Sequence, residues 1–216
     1  MKDRTGMKQN NEVKVIGLTG GIGSGKSEAA RILVEDYKAL LLNTDRIAHD
    51  FMEKDGISYK LIVEHFGGDI LDEEKKIDRS RLAREVYQNS EKLRILNSFT
   101  HPYVMKYVRD RIEETKEAAS HPFVCVETAL PKEAALQEFC DEIWYVTAGR
   151  EVREERLRNS RNFNTEKFEQ VLSNQLTEEE YRELSTHVLQ NNDSLENLKI
   201  QIEELLQLLY GGRKGW

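Results

Sequence analysis

Short apolar runs alternate with stretches of helical spacing in the first part of the chain. Val13 to Leu18 is an apolar run of strand length that ends at a glycine cluster, and Ala39 to Leu42 is a second one. Between them, the apolar residues of Lys26 to Tyr37 recur at the intervals of an amphipathic helix. The pattern predicts strand, helix and strand. It also puts the polar Asn43-Thr44-Asp45 segment at the carboxyl end of the second strand, the edge where open α/β sheets bind ligands.

The rest of the chain first loses and then regains this alternation. Helical spacing dominates from Arg46 to about Lys116, where no strand signal occurs. Strand signals return at Pro122 to Val126, Ile143 to Val146 and His187 to Gln190. Helices are predicted beside these strands at Pro131 to Phe139, Arg150 to Ser160, Thr165 to Leu176 and Ser194 to Tyr210. Strands that alternate with helices predict an α/β fold with a parallel sheet that helices cover on both faces.

The length of 216 residues is typical of a single domain. We expect a core that contains the sheet, a helical region inserted after the second strand, and a lid after the fourth strand. The predicted bounds are 13–52, 118–149 and 184–210 for the core, 53–115 for the helical region and 150–180 for the lid. The ends of the chain, 1–12 and 211–216, are expected to be flexible and to carry no chemistry.

Composition and charge exclude several classes of partner. The formal net charge of −7 gives no positive field for a phosphate backbone, so we expect no nucleic-acid partner. No stretch approaches the ~20 apolar residues of a membrane span, and the start of the chain lacks the apolar core of a signal peptide. Cys125 and Cys140 belong to neither a CxxC pair nor a histidine cluster, so we expect no zinc site, no disulfide framework and a cytoplasmic location.

The segment Gly20 to Ser27 fits the pattern GxxxxGK followed by Ser or Thr, between a predicted strand and a predicted helix. Its glycines let backbone N–H groups converge beside the positive end of a helix dipole, which favours phosphate binding. We expect Lys26 to reach the β and γ phosphates of ATP and the Ser27 hydroxyl to bind magnesium. A glycine-rich turn that merely joins strand to helix would need neither residue. The predicted ATP-binding residues are Gly20, Gly21, Ile22, Gly23, Ser24, Gly25, Lys26, Ser27, Glu28 and, near the end of the chain, Asn191.

The sequence GLTGGIGSGKS at 17–27 resembles the opening of the dephospho-coenzyme A kinases, which phosphorylate the ribose 3′-hydroxyl of dephospho-CoA. The resemblance covers about residues 13 to 205. It implies a three-layer P-loop fold of the nucleoside-monophosphate-kinase type, with ATP and magnesium as cofactors, small-molecule substrates, and a monomer or weak homo-oligomer. Further matches follow in order at Asp45 to His49, Phe66 to Leu71, Ile77 to Arg79, Leu96-Asn97, His101-Pro102, Gln175 and Asn191.

The chain departs from the family pattern at three places. It has Asn43-Thr44-Asp45 where the family usually has Asp-Ala-Asp, and Glu127 to Pro131 where Asp-x-Pro-Leu-Leu is typical. Arg156 is followed by Arg161, five positions on, where the family usually spaces two lid arginines by four. These changes fall mostly on the acceptor side. They leave open a kinase for another nucleotide or small metabolite, or a nucleotide-binding regulatory protein with little turnover.

Two acidic residues are candidates for the chemistry. Asp45 follows a strand close to the phosphate loop and matches the acid that the family retains, so we expect it to orient and deprotonate the attacking hydroxyl. The alternative is an N-cap for a helix that begins at Arg46. Glu127 ends a strand that should lie beside the first one, where it could bind magnesium with Ser27. The alternative for Glu127 is a solvated carboxylate at a strand end.

Five arginines lie between positions 150 and 161, on or just after a predicted helix. A lid that folds over the phosphates would neutralise charge and exclude water. We expect Arg156 and Arg161 to act in catalysis together with Lys26. An exposed helix face, balanced by glutamates of the same helix, is the alternative for at least two of the five.

The resemblance also implies residues that contact the acceptor, which are Thr19, Asp45, Arg79, His101 and Lys106. His101 precedes Pro102, so its alternative is a packing or capping role at a helix start. Asn191 would lie near the base of ATP, and the alternative for that residue is a plain turn before the closing helix.

Overall fold

A five-stranded parallel sheet forms the centre of the protein. The protein is seen in a computed structural model that describes residues 12–86, 89–158, 165–173 and 175–211. Its strands are β1 (Lys14–Thr19), β2 (Leu40–Asn43), β3 (Phe123–Glu127), β4 (Glu142–Thr147) and β5 (His187–Gln190). They lie in the order β2-β3-β1-β4-β5, and every neighbouring pair is parallel. The strand that precedes the phosphate loop is therefore the central one.

Helices connect the strands. Those described are α1 (Lys26–Tyr37), α2 (Thr44–Met52), α3 (Tyr59–Phe66), α4 (Arg79–Val86), α5 (Ser90–Ala118), α6 (Arg150–Arg158), α7 (Thr165–Ser173), α8 (Glu178–Leu184) and α9 (Leu195–Tyr210). Helices α2 to α5 follow β2 with no strand among the residues described between them, as the helical spacing of that region predicts. In the part of the chain that the structure describes, no helix is both long and apolar enough to cross a bilayer.

The sheet is buried on both faces because successive side chains of a strand point to opposite sides. Ile16 of β1 packs in a cluster with α1 and α9, whose Leu198 and Ile202 are fully buried. Val15, one position earlier, belongs to the cluster of the other face, which includes Val108 of α5. This arrangement of helix, sheet and helix confirms the predicted three-layer α/β fold.

The region after β2 has a small apolar core of its own. Ile62 of α3 and Leu82 of α4 are buried together with Ile70, which lies in a 3-10 turn between these helices. Leu96 and Phe99 of α5 pack against this cluster. Helix α5 also packs on the sheet, against residues of β2 and β3. It therefore connects the helical region to that part of the sheet.

Two element predictions fail between β3 and β5. The helix predicted at Pro131 to Phe139 is wrong, because Ala135 has a left-handed φ of 48° that interrupts helical bonding and leaves only a 3-10 turn at Leu136–Glu138. Helix α8 was not predicted. Its start carries a capping box in which the Glu180 N–H donates to Thr177 Oγ1 over 3.2 Å, a signal that the Thr-x-x-Glu spacing contains.

The long helix α5 also corrects one reading of the sequence. His101 and Pro102 lie well inside this 29-residue helix, so a role for His101 at a helix start is wrong. The predicted closing helix is α9, in which Leu198, Ile202 and Leu205 are buried, whereas Leu195 is 40% exposed.

Candidate active site

Three strands deliver polar residues to one edge of the sheet. The register pairs Leu18 of β1 with Glu127 of β3, and Glu127 with Asn43 of β2. Glu127 therefore lies beside the first strand, as its position in the sequence predicts. Since the phosphate loop leaves β1 at this edge, the ends of β2 and β3 flank the loop.

The phosphate loop connects β1 to the first turn of α1. Gly23 and Gly25 have φ angles of 74° and 93°, values that favour glycine and that let the backbone curl before α1 starts at Lys26. The Lys26 ammonium donates to the carbonyl oxygens of Gly20 over 2.6 Å and Gly21 over 3.3 Å. Burial lowers the pKa of Lys26, and the carboxylates of Glu127 and Asp45 oppose this shift. The loop thus holds one partly buried cation between two acids.

Ser27, Glu127 and Asn43 form a chain of hydrogen bonds. The Ser27 hydroxyl donates to Glu127 Oε1 over 2.9 Å, and the Asn43 amide donates to Glu127 Oε2 over 2.8 Å. Glu127 is only 5% exposed, so the alternative of a solvated carboxylate is wrong. Hydroxyl and carboxylate oxygens are the ligands that magnesium prefers, so Ser27 and Glu127 fit this ion. The described residues contain no cluster of three His, Cys, Asp or Glu side chains that could hold a metal without substrate.

Asp45 lies in the first turn of α2 and faces a cleft beside the phosphate loop. The N-cap of α2 is Asn43, whose side-chain oxygen accepts from the Arg46 N–H over 2.8 Å, so the capping alternative for Asp45 is wrong. Loss of hydration raises the pKa of the Asp45 carboxyl, and the nearby charge of Lys26 lowers it. The Asp45 side chain is exposed and lines the cleft, so it is available for interaction with a ligand.

The cleft beside Asp45 has a volume of about 540 Å³ and lies between α2, α4 and the start of α5. Its charged and polar side includes Asp45, Arg46, His49 and Arg79, and its apolar side includes Ile77, Leu82 and Leu96. Asp45 and Arg79 are predicted acceptor residues, whereas Arg46 and His49 have no predicted role. Helices α2 and α4 both pack on α5, and only this tertiary packing brings these side chains together.

A smaller pocket adjoins Asp45 on its other side. Its lining includes Thr44, His101 and Glu133. Burial lowers the pKa of His101, although Glu133 and Asp45 oppose this shift, so the imidazole is neutral at neutral pH. Glu133 was not predicted as a site residue, because it lies in the turns that sequence analysis interpreted as a helix.

Two predicted acceptor residues lie away from Asp45. Thr19 is 0% exposed, so its side chain does not reach the surface of the cleft. Lys106 pairs with Asp110 over 2.5 Å on an exposed face of α5, where it lines a separate surface depression. Neither residue lines the 540 Å³ cleft or the smaller pocket beside Asp45.

Two predicted ATP-binding residues serve the protein itself. Asn191 is 5% exposed, and its amide donates to the Ser24 carbonyl of the phosphate loop over 2.8 Å. Asn191 thus supports the phosphate loop through a hydrogen bond, so the alternative of a plain turn is wrong. A direct contact of its side chain with the base of ATP is not supported. Glu28 accepts two hydrogen bonds from Arg31 on the exposed side of α1, which directs its carboxylate away from the loop.

The arginines of α6 divide into two groups. Arg153 donates from Nε to the Ile22 carbonyl over 2.7 Å, and Arg156 Nη2 donates to Asn191 Oδ1 over 3.3 Å, so both contact the loop or its support. Arg150 and Arg158 instead pair with Glu154 of the same helix, which confirms the balanced helix face for these two. Arg161 lies outside the described residues. Arg153 was not singled out by sequence analysis.

Comparisons with known proteins agree with this geometry. The family model described as dephospho-CoA kinase matches residues 14–197. A dephospho-CoA kinase from Carboxydothermus hydrogenoformans is 36% identical over 193 residues, which are 89% of this chain and 93% of that protein.

Two solved structures share the fold. The crystal structure of TT1252 from Thermus thermophilus superposes with a TM-score of 0.77 at 28% identity, over 93% of this chain and 100% of that one. Dephospho-CoA kinase from Campylobacter jejuni superposes with a TM-score of 0.67 at 22% identity, over 92% of this chain and 98% of that one. With the family model matched over most of its length, the chain belongs to the dephospho-CoA kinase family of ATP-dependent P-loop kinases.

Proposed function

We propose that the chain transfers the γ-phosphoryl group of ATP to the ribose 3′-hydroxyl of dephospho-CoA, giving coenzyme A and ADP. The observation that carries this proposal is the position of Asp45. Its carboxyl interacts with the charge of Lys26 in the phosphate loop and also lines the cleft between α2 and α4. An acid between a phosphate site and a second cleft is the arrangement that phosphoryl transfer to an acceptor hydroxyl requires.

The phosphate loop would bind ATP, the phosphoryl donor of the reaction. Its backbone N–H groups and Lys26 would bind the phosphates of ATP, and a phosphate would compete with the loop carbonyls for the Lys26 ammonium. Ser27 and Glu127 would hold magnesium, which when bound neutralises charge on the phosphates. Arg156, next to the loop carbonyl of Ser24, would add a second cation on the lid side.

Asp45 would act on the acceptor. Its carboxylate would accept a hydrogen bond from the 3′-hydroxyl and take the proton as the new P–O bond forms. A positioned base contributes roughly 10²- to 10⁴-fold to the rate, while positioning and charge neutralisation supply most of the remainder. The raised pKa of Asp45 makes the carboxylate a stronger base than a free aspartate.

The mixed lining of the 540 Å³ cleft fits the chemistry of dephospho-CoA. Arg46 and Arg79 would bind the diphosphate of the acceptor through charge-assisted hydrogen bonds. Ile77 and Leu82 would contact its uncharged parts. His101, neutral and next to Asp45, would offer a hydrogen bond without adding charge.

The proposal is tested by ADP release from MgATP with several acceptors at equal concentration, namely dephospho-CoA, adenosine, AMP and other nucleoside monophosphates. We expect turnover with dephospho-CoA to exceed that with every other acceptor. Turnover with another acceptor only would show that the departures at Asn43 and Glu127 changed the specificity. ATP binding without turnover would favour a regulatory protein.

A further inference from the structure

We propose that Arg153 is a positioning residue of the predicted lid. Its hydrogen bond to the Ile22 carbonyl holds the phosphate loop in its nucleotide-binding shape. The inference rests on the proposed function only in that ATP binds at this loop. It assigns Arg153 no contact with the reacting atoms.

Both backbone groups of Ile22 are bound by residues of the predicted lid, 150–180. The Ile22 carbonyl accepts from Arg153 Nε over 2.7 Å, and the Ile22 N–H donates to Gln175 Oε1 over 3.0 Å. Arg153 lies in α6, whereas Gln175 follows α7, so two separate parts of the lid meet at one residue of the loop. We call the Arg153, Gln175 and Ile22 contacts the Ile22 clamp.

The surroundings of Arg153 fix its guanidinium against the loop. The group lies over the Phe168 ring of α7, 5.9 Å from its centroid. Its Nη2 is buried and makes no hydrogen bond to any described residue. A partly buried cation is costly unless negative charge lies near it; Glu178 supplies some of that charge, and phosphates at the loop would add to it. Arg153 therefore favours the occupied loop as well as its shape.

Gly21 gives independent support for the clamp. A Cβ atom at Gly21 would lie 2.5 Å from Arg153 Nη2, which is closer than these atoms can approach, and 3.1 Å from Gln175 Oε1, which is a tight contact. Gly21 is not among the glycines with a left-handed φ, so alanine would not strain the backbone there. Glycine at this position makes room for the clamp. Alanine at 21 would displace the flexible end of Arg153 while leaving the loop backbone free to keep its path.

The test is a double-mutant cycle on MgATP affinity, measured by isothermal titration calorimetry. Arg153→Ala should weaken binding about tenfold, the effect of losing a charged hydrogen bond. Gly21→Ala should weaken it to a similar extent, and the double variant should bind no more weakly than the weaker single variant. Arg158→Ala, an exposed arginine of the same helix, is the matched control and should stay within about twofold of the wild type.

Two further readouts separate positioning from folding. Thermal unfolding reports the stability of each variant, and Arg153→Gln keeps most of the side-chain volume if the alanine variant does not fold. In turnover assays, loss of the clamp should raise KM for ATP more than it lowers kcat. A lower melting temperature with unchanged MgATP affinity would make Arg153 a structural residue and overturn the inference.

Two other results would also overturn it. If the fold-losses of MgATP affinity in Gly21→Ala and Arg153→Ala multiply in the double variant, Gly21 acts independently of Arg153. Wild-type affinity in Arg153→Ala would show that the clamp does not shape the loop. A wild-type protein that does not bind MgATP at all would instead overturn the proposed function, and this inference with it.

Discussion

Protein atoms around Asp45 displace part of its hydration, and this raises the pKa of its carboxyl above the ordinary 3.8 even though Lys26 opposes the shift. The folded protein therefore binds this proton more tightly than the unfolded chain does. Below the ordinary pKa, Asp45 is protonated in both states and costs the fold no stability. The loss of stability develops as the pH rises from the ordinary pKa to the raised pKa of the folded protein. At neutral pH, we therefore expect the charged Asp45 carboxylate to lower the stability of the fold, by an amount that its exposure to solvent keeps small.

This linkage gives a prediction for Asp45→Asn. Turnover should fall roughly 10²- to 10⁴-fold with MgATP affinity retained. The variant should also unfold at a higher temperature than the wild type at pH 7, and the difference should shrink toward zero as the pH falls to about 3. Thermal unfolding across this pH range measures it, with Asp50→Asn on an exposed position of α2 as a control for removing one negative charge. An Asp45→Asn protein that is no more stable at pH 7 would contradict the partial loss of hydration at Asp45.

At the level of residues, the sequence predicted the parts of the site that lie in one motif and missed those that depend on tertiary contact. Lys26 and Ser27 follow from the spacing of the loop. Arg153 and Glu133 carry no such signal, because only the docking of α6 on the loop and the turns after β3 bring them to the site. The Glu28 side chain bonds to Arg31 and the Thr19 side chain is buried, and a linear motif does not reveal which side chains face outward or are buried.

Asn43 links three elements at the edge of the sheet. It ends β2, caps α2 through the Arg46 N–H, and donates to Glu127 at the end of β3. Two departures from the family pattern, an amide at 43 and a longer acid at 127, thus meet in one hydrogen bond. An amide is the partner that satisfies a buried carboxylate without a second negative charge.

Two substitutions of Asn43 separate its two bonds. Asn43→Ala removes both and should lower the free energy of unfolding at neutral pH by about 1–3 kcal/mol. Asn43→Asp keeps the cap but sets a carboxylate against Glu127, so its cost should grow as the pH rises and both acids ionise. Chemical denaturation between pH 4 and 8, a range chosen around the ordinary carboxyl pKa values, with magnesium chelated, measures both. A cost of Asn43→Asp that does not change with pH would contradict the contact with Glu127.

Elements with strong periodicity or a complete motif were predicted from the sequence, and short ones were not. The five strands and helices α1 and α9 agree with their apolar patterns to within a residue or so at most ends. The segment 131–139 has helical composition, but left-handed Ala135 turns the chain instead. Helix α8 has only seven residues, so its pattern was too short to stand out despite its capping box.

For the whole molecule, the order of elements was sufficient to predict three layers, because parallel strands joined by helices have few ways to bury both faces. The cleft between α2 and α4 was not predictable in shape. It depends on how the small core around Ile62 and Leu82 sets these helices beside the sheet. The phosphate loop is thus predictable from its sequence motif, whereas the acceptor cleft depends on tertiary packing.

The most direct measurement of the central claim is the structure of the product made from MgATP and dephospho-CoA. Phosphorus NMR and mass spectrometry should show one new phosphomonoester on the ribose 3′-oxygen, with one ADP formed per coenzyme A. Lys26→Ala, purified in the same way, should form neither and so excludes a contaminating kinase. Release of inorganic phosphate without a phosphorylated acceptor, or a phosphate at another position, would contradict the account.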